Sequence, residues 1–184
     1  MGLLTPLRLA AIAYDRGFDI DQLLAAACER LSRRGVRLGG LLQISTGGKG
    51  SCASSVQVID LRTNATFDIW EARGTCASGC RLDERGLAAA SHAIDRAIAD
   101  RVDLIIMNRF GRAESLGGGL LASFSSAVSE GVLALTAVRA PYDLGWEKFH
   151  GGLGLELSAD VEAIVAWAEM AIDGCERAVA AAAR

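Results

Sequence analysis

Between Asn108 and Glu114 the chain places an amide, two guanidiniums and a carboxylate in one short stretch, NRFGRAE. Directly before it stand Leu104, Ile105, Ile106 and Met107, with no polar break among them. A run that short and that apolar fits a strand buried on both faces of a parallel sheet. In open α/β sheets, ligands sit just beyond the carboxyl ends of the strands. Asn108, Arg109, Gly111, Arg112 and Glu114 are therefore the leading site candidates, and the chemistry they offer is anion binding. Guanidinium and amide groups supply N–H donors and positive charge, and glycine lets a backbone amide approach closely. Arg16, with Asp15 beside it, is expected to reach the same crevice from the turn after the first strand. Arg73, Gly74 and Arg81 are expected to join from the loop before the second helix. This convergence requires the first strand and the Asp103–Met107 strand to be neighbours. A purely structural alternative pairs Arg109 and Arg112 with Asp15 and Glu114, fixing loop geometry.

The elements that must position these groups are legible from periodicity. Leu9–Tyr14 (LAAIAY) reads as a buried first strand. Asp19 is a suitable N-cap, and Ile20, Leu23, Leu24, Ala27 and Leu31 follow helical spacing, predicting a helix over 20–33 closed by Gly35. Val36–Ile44 is a second strand, so the first three elements form a βαβ unit with parallel strands. Val56–Leu61 and Ala65–Trp70 flank Arg62-Thr63-Asn64 and alternate apolar with polar, predicting an antiparallel hairpin on the sheet edge. It lies in a Gly-rich insertion spanning 45–80. Asp83 caps a helix over 84–100 that carries Leu87, Ala90, Ile94, Ala97 and Ile98 on one face. A helix after Gly117-Gly118-Gly119, a buried strand over 132–138, an irregular segment over 139–150, a short edge strand over 151–157 and a helix capped by Ser158 complete the chain. Residues 173–184 read as a weakly anchored tail. Strands alternating with helices over 184 residues predict one doubly wound α/β domain with a mostly parallel sheet and a hairpin insertion.

Enzymatic signatures are sparse. A P-loop needs GxxxxGK[ST], so that backbone amides wrap the phosphates and Lys reaches the β and γ oxygens. The first βα turn is Asp15-Arg16-Gly17-Phe18-Asp19, with one Gly, no Lys and two acids that would repel a triphosphate. Gly47-Gly48-Lys49-Gly50 follows the second strand and enters no helix. A Ser-His-Asp triad would need His92 or His150, and there is no GxSxG elbow. Asp15 and Glu114 are the carboxylates available for acid–base work, and nothing in the sequence fixes their separation. The five cysteines are scattered. Cys76 and Cys80 have CxxxC spacing, unlike a zinc knuckle or a redox pair, and Cys80 beside Arg81 reads as structural rather than as a stabilised thiolate. No metal site, cofactor or catalytic residue is assigned.

The order of elements resembles small P-loop nucleoside-triphosphatases. Arg33–Leu41 is similar to that family's second-strand entry, Val58–Thr63 to its hairpin, and Asp103–Glu114 to its Walker B strand and following loop. At the strand end, Asn108-Arg109 stands where the family carries paired acids. A closer resemblance, spanning nearly the whole chain, is to an uncharacterised bacterial family that looks like this fold with its P-loop lost. It rests on Ala13-Tyr14-Asp15, Gly79-Cys80-Arg81-Leu82-Asp83, Asn108-Arg109-Phe110-Gly111 with Glu114, and Phe149-His150-Gly151-Gly152-Leu153. Members are often encoded near molybdate-transport genes, which implies a role linked to molybdate or a similar oxyanion.

Composition sets the outer bounds. The net charge of -3 argues against nucleic-acid binding. No apolar run is long enough to span a bilayer and no signal peptide is evident, so a cytoplasmic location is expected. Of 19 basic residues only Lys49 and Lys148 are lysines, and arginine's planar fork suits bidentate oxyanion contacts. The expectation is a non-catalytic protein that binds a small anionic ligand such as molybdate, tungstate, phosphate or a nucleotide. A divergent nucleotide-binding protein or NTPase is one alternative. The other is an interaction module or homo-oligomer seating a partner on Trp146 and Phe149.

Overall fold

The computed structural model describes residues 7–46, 55–71 and 81–182. Its main sheet has seven strands in the order β4-β3-β2-β7-β8-β1-β9. These are β1 (Leu9–Ala13), β2 (Leu38–Thr46), β3 (Ser55–Asp60), β4 (Thr66–Asp68), β7 (Leu104–Met107), β8 (Leu133–Val138) and β9 (Gly154–Leu157). Strands β2, β7, β8, β1 and β9 run parallel; β3 and β4 fold back antiparallel at one edge, as the hairpin signature predicts. A separate two-stranded ribbon pairs β5 (Trp70–Glu71) with β6 (Arg81–Leu82). The helices are α1 (Ile20–Arg33), α2 (Glu84–Ala99), α3 (Arg112–Ser115), α4 (Leu121–Ser129), α5 (Asp143–His150) and α6 (Val161–Ala182).

Helices cover both faces of the sheet, which is the doubly wound arrangement. Side chains alternate across each strand, so β7 sends Leu104 and Ile106 to one core and Ile105 and Met107 to the other. All four are fully buried. The first core is closed by α1 and α6 through Leu24, Leu31, Ile164 and Ala168. Ion pairs Arg30–Glu162 and Arg34–Glu169 brace these two helices at the surface. The second core is closed by α2, α4 and α5 through Ile94, Phe124 and Trp146. Each fully buried Leu, Ile or Phe contributes roughly 1.5–3 kcal/mol by leaving water. Asp19 caps α1 as expected, its carboxylate accepting from Gln22 N–H at 3.1 Å.

Four expectations are corrected. β1 and β7 are not neighbours, because β8 lies between them and pairs with both. The segment read as irregular over 139–150 contains helix α5: Tyr142, Trp146 and Phe149 stand one helical turn apart and all pack onto the second core. Trp146 is therefore buried, 4% exposed, and is not a seat for a partner. At α6 it is Asp160, not Ser158, whose side chain takes an N-terminal amide, that of Ala163 at 2.9 Å. Separately, α6 includes residues 173–182 of the segment expected as a weakly anchored tail.

Candidate anion site

Two adjacent strands, β8 and β1, send their chains in opposite directions. β1 leads through α1 back toward β2, while β8 leads through α5 past β1 to β9. Such a switch point opens a crevice at the carboxyl ends of the strands. Tyr14 stands at the end of β1 and Arg139 at the end of β8, tied by Tyr14 N–H donating to the Val138 carbonyl at 3.2 Å. Both line a cavity of about 400 Å3 that continues past the end of β7 to the β2–β3 hairpin. Its polar lining comes from Gln43, Asn108, Arg109, Arg112, Glu114 and Arg139. Its apolar wall includes Leu41, Val58, Leu87 and Leu120.

The strand end is held from several sides. Thr136 Oγ1 donates to the Met107 carbonyl at 2.6 Å, and Phe110 N–H donates to the Ala137 carbonyl at 3.0 Å. The Phe110 ring drives into the second core, 5.3 Å from Trp146 and 5.8 Å from both Phe124 and Phe149. The edge-on packing against Trp146 and Phe124 adds to simple burial. Because Phe110 points inward, Arg109 and Arg112 on either side are free to face the crevice.

Asn108 is buried, 5% exposed. Its Nδ2 donates to Gln43 Oε1 at 3.3 Å, and Gln43 Nε2 donates to Asp21 Oδ2 at 3.1 Å. Arg109 Nη2 reaches both Asp21 oxygens at 2.8 Å. Arg109 thus has an ion-pair partner, but it is Asp21 on the first turn of α1 rather than Asp15. Asn108 Oδ1 and Arg109 Nε remain buried without a hydrogen-bond partner. Glu114 is fully engaged locally: Oε2 accepts from Gly111 N–H at 2.9 Å and Oε1 from Leu120 N–H at 3.0 Å. It fixes the 111–120 loop and forms no ion pair with Arg112. Among the described residues Arg112 and Arg139 have no ion-pair partner.

The sequence candidates divide accordingly. Asn108, Arg109, Gly111, Arg112 and Glu114 come together in the cavity wall. Asp15 and Arg16 are exposed and do not line it. Their turn is closed by Phe18 N–H donating to the Asp15 carbonyl at 3.1 Å, and the Gln22 amide of α1 is taken by Asp19. Arg73, Gly74, Cys76 and Cys80 lie outside the described residues, as does the Gly47–Gly50 loop. Arg81 is described for its backbone alone, in β6. Sequence reading missed Asp21, Gln43, Arg139 and Tyr142. Arg139 had a usable signal, since it follows an apolar strand as Asn108 does.

A larger hollow, about 850 Å3, opens at the opposite, amino-terminal ends of β7 and β8. Arg37 and Asp103 on its rim bind each other, with Arg37 Nη2 donating to Asp103 Oδ1 at 2.6 Å. The smaller cavity is the stronger candidate because it lies at the switch point, whereas the larger one sets the acids Asp95, Asp103 and Glu130 beside Arg37 and Arg101.

A family model for proteins of unknown function, DUF2478, matches residues 9–167. The chain belongs to the DUF2478 family. A molybdenum import ATP-binding protein, ModC 2, of Bradyrhizobium diazoefficiens is 40% identical over 162 residues, covering 88% of this chain and 18% of that protein. The chain therefore spans under a fifth of that relative's length. The solution structure of a human cancer-related nucleoside triphosphatase matches with a TM-score of 0.56 at 16% identity, over 73% of this chain and 77% of the other. This DUF2478 member thus has the P-loop NTPase-like α/β fold expected from its element order. No helix of the described residues is long and apolar enough to cross a membrane.

Proposed function

We propose that this DUF2478 protein is a non-catalytic module that holds a small anion at the carboxyl ends of β7 and β8 and serves molybdate handling. The observation that carries the reading is the pair of arginines, Arg112 and Arg139, that line the cavity without an ion-pair partner among the described residues. Guanidiniums in that state favour a tetrahedral oxyanion, either free, as molybdate, tungstate, sulfate or phosphate, or as a phosphate ester. Two further features favour binding over hydrolysis. The one carboxylate among the described residues that line the cavity, Glu114, spends both oxygens on backbone amides. The first βα turn closes on itself, and Asp19 takes an amide at the N-terminus of α1. The link to molybdate rests on the relative named as a molybdenum import ATP-binding protein, in which the matching region is a small part of the chain. A module working beside such an ATPase would report ligand rather than spend nucleotide.

Calorimetry against molybdate, tungstate, sulfate, phosphate and nucleotides tests the reading. Binding of at least one anion, weakened tenfold or more in Arg112→Ala/Arg139→Ala, is expected. The same samples should release no phosphate from nucleoside triphosphates with magnesium. Magnesium-dependent release that Glu114→Gln abolishes would favour a divergent NTPase instead.

A further inference from the structure

The polarity of the hydrogen-bond chain behind the cavity specifies what its last atom wants. The Asp21 carboxylate only accepts, so Gln43 must turn Nε2 toward it, and this is the observed 3.1 Å contact. Gln43 Oε1 then faces Asn108 and can only accept, so Asn108 must turn Nδ2 toward it, as observed at 3.3 Å. The amide orientation of Asn108 is thereby set by a charged group two links away. Its Oδ1, unpaired and shut off from solvent, is an acceptor in search of a donor. Arg109 Nε, unpaired in the same wall, is a donor in search of an acceptor.

A bare oxyanion does not answer this arrangement. As molybdate, a bare oxyanion offers no donor to Asn108 Oδ1, and as hydrogenphosphate it offers a single hydroxyl and no ring acceptor beside it. It would also fill little of a cavity of about 400 Å3, which lies within the range of about 300–1,000 Å3 typical of small organic ligands. The remaining wall is apolar and aromatic, with Tyr14 and Tyr142 beside Leu41, Val58 and Leu87. From these observations we infer that the ligand is a phosphate-bearing nitrogen heterocycle of the nucleotide class. Its charged group meets Arg112 and Arg139, and a ring N–H or amino group donates to Asn108 Oδ1 while a neighbouring ring acceptor takes Arg109 N–H. The inference rests on the anion-binding reading above and specifies the body that carries the anion. It also places the ligand away from the first βα turn, since Asp15 and Arg16 do not line the cavity.

The experiment is a titration of the full chain with molybdate, inorganic phosphate, ribose 5-phosphate and the four common nucleoside 5′-monophosphates. At least one nucleotide should bind tenfold or more tighter than ribose 5-phosphate and than either inorganic anion. Asn108→Leu should remove that advantage, whereas Arg112→Ala/Arg139→Ala should weaken every probe. If Asn108→Leu does not fold, the preferred nucleotide methylated at its ring N–H or amino donor serves instead, and a loss of about tenfold is expected. Equal binding of the inorganic anions, ribose 5-phosphate and the nucleotides would overturn the inference and leave the anion reading standing. A nucleotide preference untouched by both Asn108→Leu and methylation would also overturn it. No binding by any probe would overturn both.

Discussion

Arg109 and Asp21 stand 88 positions apart in sequence, yet Arg109 Nη2 lies 2.8 Å from both carboxylate oxygens of Asp21. The pair ties the end of β7 to the first turn of α1. It also removes one cation from those available to a ligand. The Arg109 side chain is 34% exposed and that of Asp21 17%, so solvent screens the pair only partly. Asp21→Asn should lower stability by about 1 kcal/mol, after discounting for that exposure. Freed from its partner, Arg109 should bind anions more tightly in the same variant. Thermal unfolding and anion titration of one protein sample check the two opposite changes together.

The Asp103–Arg37 contact gives a pH signature. Partial burial works to raise the Asp103 pKa, but hydrogen bonds from the Arg37 side chain and backbone, with the guanidinium's charge, hold it below the usual value of 3.8. A carboxylate with a depressed folded-state pKa contributes stability that is complete above its ordinary value and is lost as pH falls through the depressed one. Asp103→Asn should therefore melt below wild type at pH 7. The difference should shrink as pH drops below about 4, the ordinary aspartate range. Melting curves from pH 2 to pH 7, an interval of about 5 units set by that same range, would show the convergence.

Cys28 sits in the first core, and burial pushes its thiol pKa up to about 12. The thiolate is the reactive form. Alkylation of the native protein at pH 8, below even the free-thiol value of about 8.5, should leave Cys28 unmodified. Mass mapping after brief labelling, with a denatured control that does modify it, checks this.

Gly119 marks how tightly the site loop is built. Its φ is +61°, and a methyl group there would lie 2.1 Å from Glu114 Oε1. Gly119→Ala should dislodge Glu114 from the Gly111 and Leu120 amides at a cost of roughly 2–3 kcal/mol. Gly40, at φ +91°, is stricter, because its methyl would meet the Ile106 carbonyl oxygen at 2.1 Å, on the strand that presents Asn108. Urea unfolding should rank Gly40→Ala as the more destabilised of the two.

Local signals carried the fold further than the site. Helix α1 was legible to its ends because Asp19 caps it and its apolar residues keep helical spacing. β7 was legible because both its faces are buried, which leaves no polar residue inside it. The order of strands is not a local property, so the insertion of β8 between β1 and β7 could not be read from periodicity. That one displacement explains why Arg16 stays outside the cavity while Arg139 lines it. Asp21 carries no local signal of its role, and only the tertiary fold turns it toward Arg109. Helix α5 was obscured by Pro141 and its aromatic residues, although Tyr142, Trp146 and Phe149 already had helical spacing.

Anion binding at the ends of β7 and β8 depends most on Arg112 and Arg139. Isothermal titration of the wild-type chain and of Arg112→Ala/Arg139→Ala, with the oxyanions and nucleotides named above, tests this directly. Measurable binding to the wild type, reduced tenfold or more in the double variant at unchanged melting temperature, is the predicted result. Each lost charge-assisted hydrogen bond is worth about 1.5–3 kcal/mol. Absence of heat with every anion, or identical affinity in the double variant, would contradict it.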